Sequence, residues 1–238
     1  MFLCNLVLMT NKNDDMESFT MISLYFKSIS NININNVSER KYQIDYNESN
    51  DKIIHLRHKE SMASQEVLAL ACKDQGIPFD IEDIKRGKHG KPYLDGYPDF
   101  HFNISHSKGM LLCATAEEEI GCDIQEVRPI RSKLFCKYAT EQEQDIYREQ
   151  PILLWTLKES YLKLTGQGIT RNLKSIEFGR DCLWEGEGQS PVRKVSVLDQ
   201  GISWELYLLN GRRQEYIYSV FMRSGSSLCP PGLRVSIC

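Results

Sequence analysis

Residues 155–168 read Trp-Thr-Leu-Lys-Glu-Ser-Tyr-Leu-Lys-Leu-Thr-Gly-Gln-Gly, and the other elements of the chain are best interpreted around this stretch. At about 100° per residue on a helix, Thr156, Glu159 and Lys163 share a polar stripe, while the apolar side chains can face an interior. Gly166 then ends the helix in a left-handed conformation. Taken alone, Glu159 and Lys163 are typical of a solvated pair, which contributes about 0.2 to 0.5 kcal/mol.

The length and composition indicate a folded protein with a sizeable core. The chain has 238 residues, of which 41% are hydrophobic, and this size allows one large domain or two smaller lobes. We expect two lobes. The formal net charge of -3 argues against a general nucleic-acid binder, whose affinity would come from a basic surface. Any site for an anionic ligand must therefore be local.

The cysteines and the chain start indicate the cellular compartment. Eight cysteines are scattered without a Cys-x-x-Cys pair or a zinc-like spacing, which predicts reduced thiols in a cytoplasmic protein. The apolar residues 1–9 lack a basic region and are too short to cross a bilayer. We therefore expect neither a signal peptide nor a membrane-spanning helix.

The first part of the chain is expected to hold one strand and one long helix. Residues 1–19 are interpreted as an N-terminal extension, residues 21–29 as a strand and residues 30–51 as loop and turn. An Ala-rich helix is predicted at 61–75, ended by Gly76. The basic, glycine-rich residues 85–92 favour a solvated turn between strands, with a local anion site as the functional alternative.

Residues 101–107 read His-Phe-Asn-Ile-Ser-His-Ser and alternate with period two. This pattern predicts a strand with Asn103 and Ser105 on one face and His106 on the other. A turn at 108–109 and a partner strand at 110–116 complete a hairpin. His106 is interpreted either as a structural histidine or as a functional one, because it lies between two serines at the strand end.

A second segment, residues 120–125, is predicted to be a strand that buries Cys122 and Ile124 and presents Asp123 and Gln125 together. An acidic side chain in a buried strand is costly unless it has a partner. A hard cation is one such partner, since Mg²⁺ takes one or two protein carboxylates and completes its shell with waters and phosphate oxygens. Asp123 and Glu159 would supply those carboxylates if the helix packs across the strand.

The remaining elements are two helices, a set of strands and a tail. Helices are predicted at 129–138 and 140–149, the second opened by a capping box of Thr140 with Glu143. Residues 173–183 and 192–222 alternate as strands do, and residues 224–238 are interpreted as a flexible tail.

Four motifs then follow one another in a characteristic order. They are Gly90-Lys91-Pro92, Phe102 to Ser107, Gly121-Cys122-Asp123-Ile124-Gln125, and Trp155-x-x-Lys158-Glu159-x-x-x-Lys163-x-x-Gly166-x-Gly168. This succession resembles the surfactin-type 4′-phosphopantetheinyl transferases over roughly residues 20 to 222. The resemblance implies an α+β pseudo-dimer of two similar lobes, at 20–118 and 119–223. Each lobe would be a small antiparallel sheet packed with helices, and one chain would suffice as a monomer.

The resemblance also implies the activity and the roles of individual residues. Such an enzyme transfers the phosphopantetheine arm of coenzyme A to a serine of an apo acyl or peptidyl carrier protein, with Mg²⁺, and releases adenosine 3′,5′-bisphosphate. The implied metal ligands are Asp123, Glu159 and Gln125. The implied catalytic residues are Glu159, Lys163 and His106, with Glu159 also the base for the carrier serine. The implied coenzyme A contacts are Lys91, Ser105, His106, Lys163 and Ser61.

Some positions depart from the family pattern or leave a choice open. Gln125 stands where many members have a second strand carboxylate, so we predict weaker Mg²⁺ binding than in a Gln125→Glu variant. Glu143 is either a further acidic residue near the metal or only the capping-box partner. Arg57 and Lys59 either bind the 3′-phosphate of coenzyme A or form a solvated helix face.

Two other functions are compatible with the same residues. One is a coenzyme A or carrier-protein binding module without catalysis, and the retention of Asp123, Glu159 and Lys163 together argues against it. The other is a metal-dependent hydrolase of nucleotide pyrophosphates.

Overall fold

A computed structural model describes residues 2–13, 16–29, 51–87, 89–168, 171–184, 186, 188–223 and 235–237. The first strands are β1 (Phe2–Asn13), β2 (Met16–Ser28), β3 (Ile84–Arg86), β4 (Pro92–Leu94), β5 (His101–Ser107) and β6 (Met110–Ala116). The remaining strands are β7 (Ile120–Glu126), β8 (Ile176–Phe178), β9 (Arg193–Asp199), β10 (Ile202–Arg213), β11 (Tyr216–Arg223) and β12 (Val235–Ile237). The helices are α1 (Asp51–Asp74), α2 (Ser132–Tyr138), α3 (Glu141–Ile146) and α4 (Pro151–Thr165).

Most strands belong to two antiparallel sheets. The first sheet has the order β12-β1-β2-β6-β5 and the second has the order β7-β11-β10-β9-β8. A small hairpin of β3 and β4 lies outside both. The predicted mixture of helices with antiparallel sheets is confirmed.

The strand faces alternate between two kinds of core, as period-two patterns require. Even-numbered side chains of β2 and β6 share one apolar cluster with β7 and β11, so the two sheets pack against each other. The opposite face of the first sheet packs on α1, and that of the second packs on α4. The molecule is therefore layered as helix, sheet, sheet and helix.

Edge strands β5 and β7 run side by side and are joined by side chains rather than by a backbone ladder. Three backbone N–H groups of β7 donate to side-chain oxygens of β5. Cys122 N donates to Asn103 Oδ1 at 2.9 Å, Ile124 N to Ser105 Oγ at 3.4 Å and Glu126 N to Ser107 Oγ at 3.3 Å. The polar residues at every second position of β5 thus satisfy the outward N–H groups of β7. This junction brings the motif of β5 beside that of β7.

Two glycines shape the packing and the length of α4. A Cβ added at Gly121 would lie 2.3 Å from both Leu164 N and Ser160 O, so only glycine fits between strand and helix. Gly166 ends α4 with φ 69°, as the sequence predicts. The close packing places the face of β7 that carries Asp123 directly against α4.

Several element boundaries differ from the predictions. The strand predicted at 21–29 begins at Met16, the helix predicted at 61–75 begins at Asp51, and the helix predicted from residue 129 begins at Ser132. Residues 173–183 form two 3-10 helices, Leu173–Ser175 and Arg180–Cys182, around the short β8. The predicted loop at 30–51 lies outside the described residues except at its last position.

The chain ends contribute backbone to the first sheet. Strand β1, within the predicted extension, pairs with β2, and β12, within the predicted tail, pairs with β1. Neither strand is predicted from the sequence. Residues 1–9 are apolar without a clear period-two alternation, and two prolines closely precede β12, so neither segment showed a strand pattern.

Two further features concern the helices and the cysteines. No helix in the described residues combines the length and apolar character that crossing a bilayer requires. The cysteines with described side chains are free thiols, and all of them except Cys136 are buried.

Candidate active site

A hydrogen-bonded cluster forms where β5, β7 and α4 meet. Lys163 Nζ donates to Asp123 Oδ1 and to Ser105 Oγ, each at 2.7 Å, and Ser105 Oγ donates to Asp123 Oδ1 at 2.7 Å. These residues, together with Gln125 and Glu159, are called the Lys163 cluster below. The helix and strand predicted to converge on Asp123 do so.

Gln125 lies beside Asp123 on the same face of β7, as alternation predicts. Its Nε2 donates to Asp123 Oδ2 at 3.0 Å, while its Oε1 accepts from Ser107 Oγ at 3.4 Å. The amide therefore orients the Asp123 carboxylate through its nitrogen. Its oxygen is held only by a long hydrogen bond, so it can turn toward a ligand.

Glu159 is the member of the cluster whose charge is least compensated. Its side chain is buried, with the residue only 6% exposed, and its Oε1 has no hydrogen-bond partner among the described residues. Burial, with a smaller contribution from the negative charge of Asp123, raises the pKa of Glu159 from 4.5 to about 7, against the opposing effect of Lys163. A buried acceptor without a donor is costly, and binding of a proton or a cation at Glu159 would remove that cost.

The residues of this cluster fit a Mg²⁺ ion. The carboxylates of Asp123 and Glu159, the latter with an unpaired oxygen, and the amide oxygen of Gln125 are hard oxygen donors, and Mg²⁺ uses one or two protein carboxylates. The described residues contain no group of three or more His, Cys, Asp or Glu side chains suited to a metal. A Mg²⁺ site with two protein carboxylates needs no third ligand of these types.

The simple interpretation of Glu159 and Lys163 as a solvated helix pair is wrong. Thr156 and Glu159 of the polar stripe are buried, and Thr156 Oγ1 lies 2.8 Å from Ser219 Oγ of β11. The Lys163 side chain is 28% exposed and pairs with Asp123. The polar stripe of α4 faces the second sheet because Gly121 allows close contact there.

Lys91 reaches the C-terminal end of α4, next to Lys163. The basic segment lies between the paired strands β3 and β4, with Arg86 opposite Pro92, as the simpler interpretation predicts. Lys91 Nζ donates to Leu164 O at 3.0 Å, and burial lowers the pKa of the Lys91 ammonium. A cation at a helix C-terminus satisfies one of the free carbonyl groups there. Contact of Lys91 with coenzyme A stays a prediction.

His106 and Ser61 lie near each other on the first sheet and α1. His106 Nδ1 is 3.2 Å from Glu60 Oε1, and the His106 side chain is 48% exposed. Ser61, the next residue on α1, is exposed, and its hydroxyl accepts from Gln65 Nε2 at 3.3 Å. Arg57 is exposed on the same helix. The predicted contacts of these residues with coenzyme A are not tested by this geometry.

Glu143 lies away from the Lys163 cluster and pairs with a second lysine of α4. The predicted capping box with Thr140 is present, and Glu143 Oε2 also accepts from Lys158 Nζ at 2.8 Å. Lys158 Nζ further donates to Leu173 O and Ile176 O, at 2.9 and 2.7 Å. Glu143, Lys158 and these backbone groups are called the Lys158 cluster below. The contacts of Glu143 therefore fit its interpretation as a capping-box partner, with an added ion pair to Lys158.

Some residues around the site were not singled out from the sequence. Ser107 continues the period-two series of Asn103 and Ser105, so alternation could have indicated its contact with β7. Lys158 lies one helical turn from Trp155 and Leu162, a spacing that points it to the interior and requires a buried carboxylate. Glu60 had no comparable signal, because its partner is distant in the sequence.

Comparison with known proteins gives a consistent assignment. A family model described as the 4′-phosphopantetheinyl transferase superfamily matches residues 119–220. A 4′-phosphopantetheinyl transferase of Bacillus subtilis is 33% identical over 109 residues, covering 42% of this chain and 46% of that protein. The transferase Sfp of Bacillus subtilis strain 168 is 30% identical over 142 residues, covering 54% of this chain and 63% of Sfp.

A vertebrate relative extends the similarity beyond bacteria. The L-aminoadipate-semialdehyde dehydrogenase-phosphopantetheinyl transferase of Xenopus laevis is 31% identical over 143 residues, covering 50% of this chain and 47% of that protein. The chain spans about half the length of the curated relatives it matches. The segment matched by the family model contains Asp123, Gln125, Glu159 and Lys163. The resemblance to the 4′-phosphopantetheinyl transferases that the four motifs predict is confirmed.

Proposed function

We propose that this protein is a Mg²⁺-dependent 4′-phosphopantetheinyl transferase that uses coenzyme A as donor and an apo acyl or peptidyl carrier protein as acceptor. The observation that carries the proposal is Glu159, a buried carboxylate with an unpaired oxygen beside Asp123 and Lys163. A buried carboxylate of this kind suits both metal binding and proton transfer. It lies in the segment that matches the transferase superfamily.

The proposed reaction moves one phosphoryl-linked group between two oxygens. The hydroxyl oxygen of the carrier serine forms a bond to the phosphorus that bears the pantetheine arm. The bond from that phosphorus to the bridging oxygen breaks, and adenosine 3′,5′-bisphosphate leaves with the electron pair. The proton of the serine hydroxyl goes to Glu159, since a hydroxyl is a weak nucleophile until a base removes its proton.

Asp123 and Glu159 would hold Mg²⁺, with Gln125 contributing its amide oxygen or orienting a bound water. An ion bound there would supply positive charge toward the diphosphate oxygens. Lys163, 28% exposed, reaches the same region with a positive charge fixed by Asp123 and Ser105. Stabilisation of developing charge by such fixed groups is a major part of phosphoryl-transfer catalysis.

The remaining contacts with coenzyme A are assigned by position. His106 is exposed enough to meet a diphosphate, and Ser61 lies beside its partner Glu60. Lys91 provides a cation at the end of α4. Ser105 is buried, and its hydroxyl bonds Asp123 and Lys163, so its contribution is to orient those two groups.

The proposed organisation is a pseudo-dimer of lobes at 20–118 and 119–223, to which the extension at 1–19 and the tail at 224–238 add strands β1 and β12 of the first sheet. Each proposed lobe contributes antiparallel strands to one sheet and one helix packed on the outer face of that sheet, which supports two related lobes. Because the proposed site takes residues from both halves of one chain, a monomer suffices. Free buried thiols agree with a cytoplasmic protein.

One experiment distinguishes this function from its two alternatives. An apo carrier protein is incubated with coenzyme A, Mg²⁺ and this protein, and the products are measured by mass spectrometry. Transfer predicts that the carrier serine gains one phosphopantetheine group. Nucleotide products without that gain would indicate a pyrophosphohydrolase instead, and unchanged reactants with measurable binding would indicate a binding module.

A further inference from the structure

A carboxylate of α1 meets His106 at the end of β5. Glu60 Oε1 lies 3.2 Å from His106 Nδ1. The Glu60 side chain is 19% exposed and that of His106 is 48% exposed, so the histidine is the more accessible partner. The pair therefore joins a largely buried carboxylate to a ring that a ligand can reach.

The periodicity of α1 explains why Glu60 reaches the first sheet. Because α1 begins at Asp51 and not at the predicted residue 61, Glu60 belongs to the helix. Ala63 and Val67 are fully buried in the cluster that α1 forms with the first sheet. Positions i, i+3 and i+7 share one helix face, so Glu60 continues this buried stripe. A carboxylate in such a place needs a donor, and His106 provides one.

A second ion pair on the same face of the sheet provides a comparison. His106 lies opposite buried Leu111 of β6, and Lys27 of β2 lies opposite Leu111 from the other side. Lys27 Nζ pairs with Glu66 of α1. Each basic side chain beside Leu111 thus meets one glutamate of α1. The ammonium of lysine has three equivalent donors, whereas the two ring nitrogens of histidine differ, so only the histidine can be oriented by its partner.

The contact with Glu60 decides which ring nitrogen of His106 carries the first proton. A carboxylate only accepts hydrogen bonds when it is ionised, so Nδ1 must donate to Glu60. Nε2 is then the nitrogen that can meet a ligand. Toward an anionic phosphate oxygen, Nε2 can carry a second proton and donate it, while the carboxylate of Glu60 balances the positive charge of the ring.

We propose that Glu60 is a positioning residue, which holds His106 Nδ1 and thereby directs His106 Nε2 at the diphosphate of coenzyme A. This proposal rests on the proposed function, which assigns His106 to that diphosphate. Glu60 has the same sign of charge as the ligand, so its direct electrostatic effect opposes binding. Its favourable contribution comes from orienting the ring, as carboxylates do for histidines that bind metals.

The test uses two substitutions that each replace a carboxylate by an unbranched side chain without charge. Glu60→Met removes the acceptor for Nδ1, and Glu66→Met removes the matched carboxylate that pairs with Lys27. Isothermal titration of the full chain with coenzyme A and Mg²⁺ measures Kd. Loss of a negative charge alone would tighten the binding of an anion in both variants. We expect instead that Glu60→Met weakens binding about five- to ten-fold, while Glu66→Met binds at least as tightly as wild type.

Three further measurements separate positioning from folding. Glu60→Gln keeps an acceptor oxygen, so its Kd should lie closer to wild type than that of Glu60→Met. In a His106→Gln background Glu60→Met should cause no further loss of affinity, because no ring is left to orient. Long-range ¹H–¹⁵N spectra at alkaline pH should show the proton of His106 on Nδ1 in wild type. In Glu60→Met it should move to Nε2, the commoner site in a free imidazole side chain.

The outcomes distinguish this proposal from the proposed function. If wild type binds coenzyme A and Glu60→Met binds it equally or more tightly, the positioning role of Glu60 is wrong and the proposed function stands. Equal losses from Glu60→Met in the presence and absence of His106 would also overturn the positioning role. If wild type binds no coenzyme A, the proposed function fails, and the role of Glu60 toward the diphosphate fails with it.

Discussion

Two lysines of α4 each pair with a buried carboxylate, yet their surroundings differ. Lys158 is fully buried and gives its three donors to Glu143 and to the carbonyl oxygens of Leu173 and Ile176. Lys163 is 28% exposed and shares Asp123 with Ser105, while neighbouring Glu159 keeps an oxygen without a partner.

The difference indicates what each cluster does. A network in which every donor and acceptor has a partner fixes one conformation, and the Lys158 cluster joins α3, α4 and β8 in this way. A network with an excess of buried negative charge is costly until a proton or a cation neutralises it. We therefore propose that the Lys158 cluster stabilises the fold and that the Lys163 cluster binds a ligand.

Glu159→Gln should cause the largest loss of activity. The amide cannot accept the serine proton, and it removes one negative charge from the proposed metal site, so kcat should fall about 10² to 10⁴-fold. Single-turnover transfer to an apo carrier protein measures this effect. Glu143→Gln is the matched control in the Lys158 cluster, and it should reduce stability while leaving kcat per folded molecule near wild type. Equal losses of kcat in both variants would contradict the different roles proposed for the Lys163 cluster and the Lys158 cluster.

Lys158→Met should cause the largest loss of stability. It leaves Glu143 buried without a positive partner, which costs about 3 to 5 kcal/mol in the free energy of unfolding. Urea denaturation measures the change. Adding Glu143→Gln should recover part of the loss, because the remaining amide carries no charge. An unchanged free energy of unfolding in Lys158→Met would contradict the structural assignment.

The stability of the metal-free protein should depend on pH through Glu159. Burial raises the pKa of Glu159 to about 7, above its value of 4.5 in the unfolded chain. The folded state binds this proton more tightly, so its contribution to stability is lost as pH rises from 4.5 to about 7. At about pH 8, Glu159→Gln should then be more stable than wild type, by up to about 3 kcal/mol.

Thermal unfolding in a chelator at acidic and alkaline pH tests this difference. The advantage of Glu159→Gln should vanish below the unfolded pKa, where both side chains are neutral. A Glu159→Gln variant that is less stable than wild type at alkaline pH would show that the ionised carboxylate is already compensated.

Gln125→Glu should cause the smallest effect. An added carboxylate beside Asp123 raises the negative charge of the Lys163 cluster, so Mg²⁺ affinity should rise by about ten-fold or less. The Mg²⁺ dependence of transfer measures it, with Gln144→Glu on α3 as a control of equal charge. An unchanged Mg²⁺ requirement in Gln125→Glu would exclude a role of residue 125 at the metal.

The sequence predicted the parts of the site that depend on local periodicity. Alternation placed Asp123 and Gln125 on one face of β7 and Asn103 with Ser105 on one face of β5, and both placements agree with the observed contacts. The end of α4 at Gly166 was also predictable, because glycine readily adopts the left-handed conformation that is observed there. These features are fixed by residues close together in the chain.

The choice of partners could not be predicted in the same way. Local spacing suggested that Lys163 pairs with Glu159, but Lys163 instead donates to Asp123, 40 residues earlier in the chain. Lys158 finds Glu143 only because α3 packs beside α4. The pairing of β1 with β12 likewise joins segments distant in sequence. Contacts across large sequence separations need the packed elements, and the sequence pattern of one element does not contain them.

The shared metal site of Asp123 and Glu159 is tested most directly by anomalous diffraction from a crystal containing coenzyme A and Mn²⁺. We predict one anomalous peak coordinated by an oxygen of Asp123, an oxygen of Glu159 and the diphosphate. A peak that lacks either carboxylate, or a coenzyme A diphosphate bound without any metal there, would contradict the assignment of the Lys163 cluster.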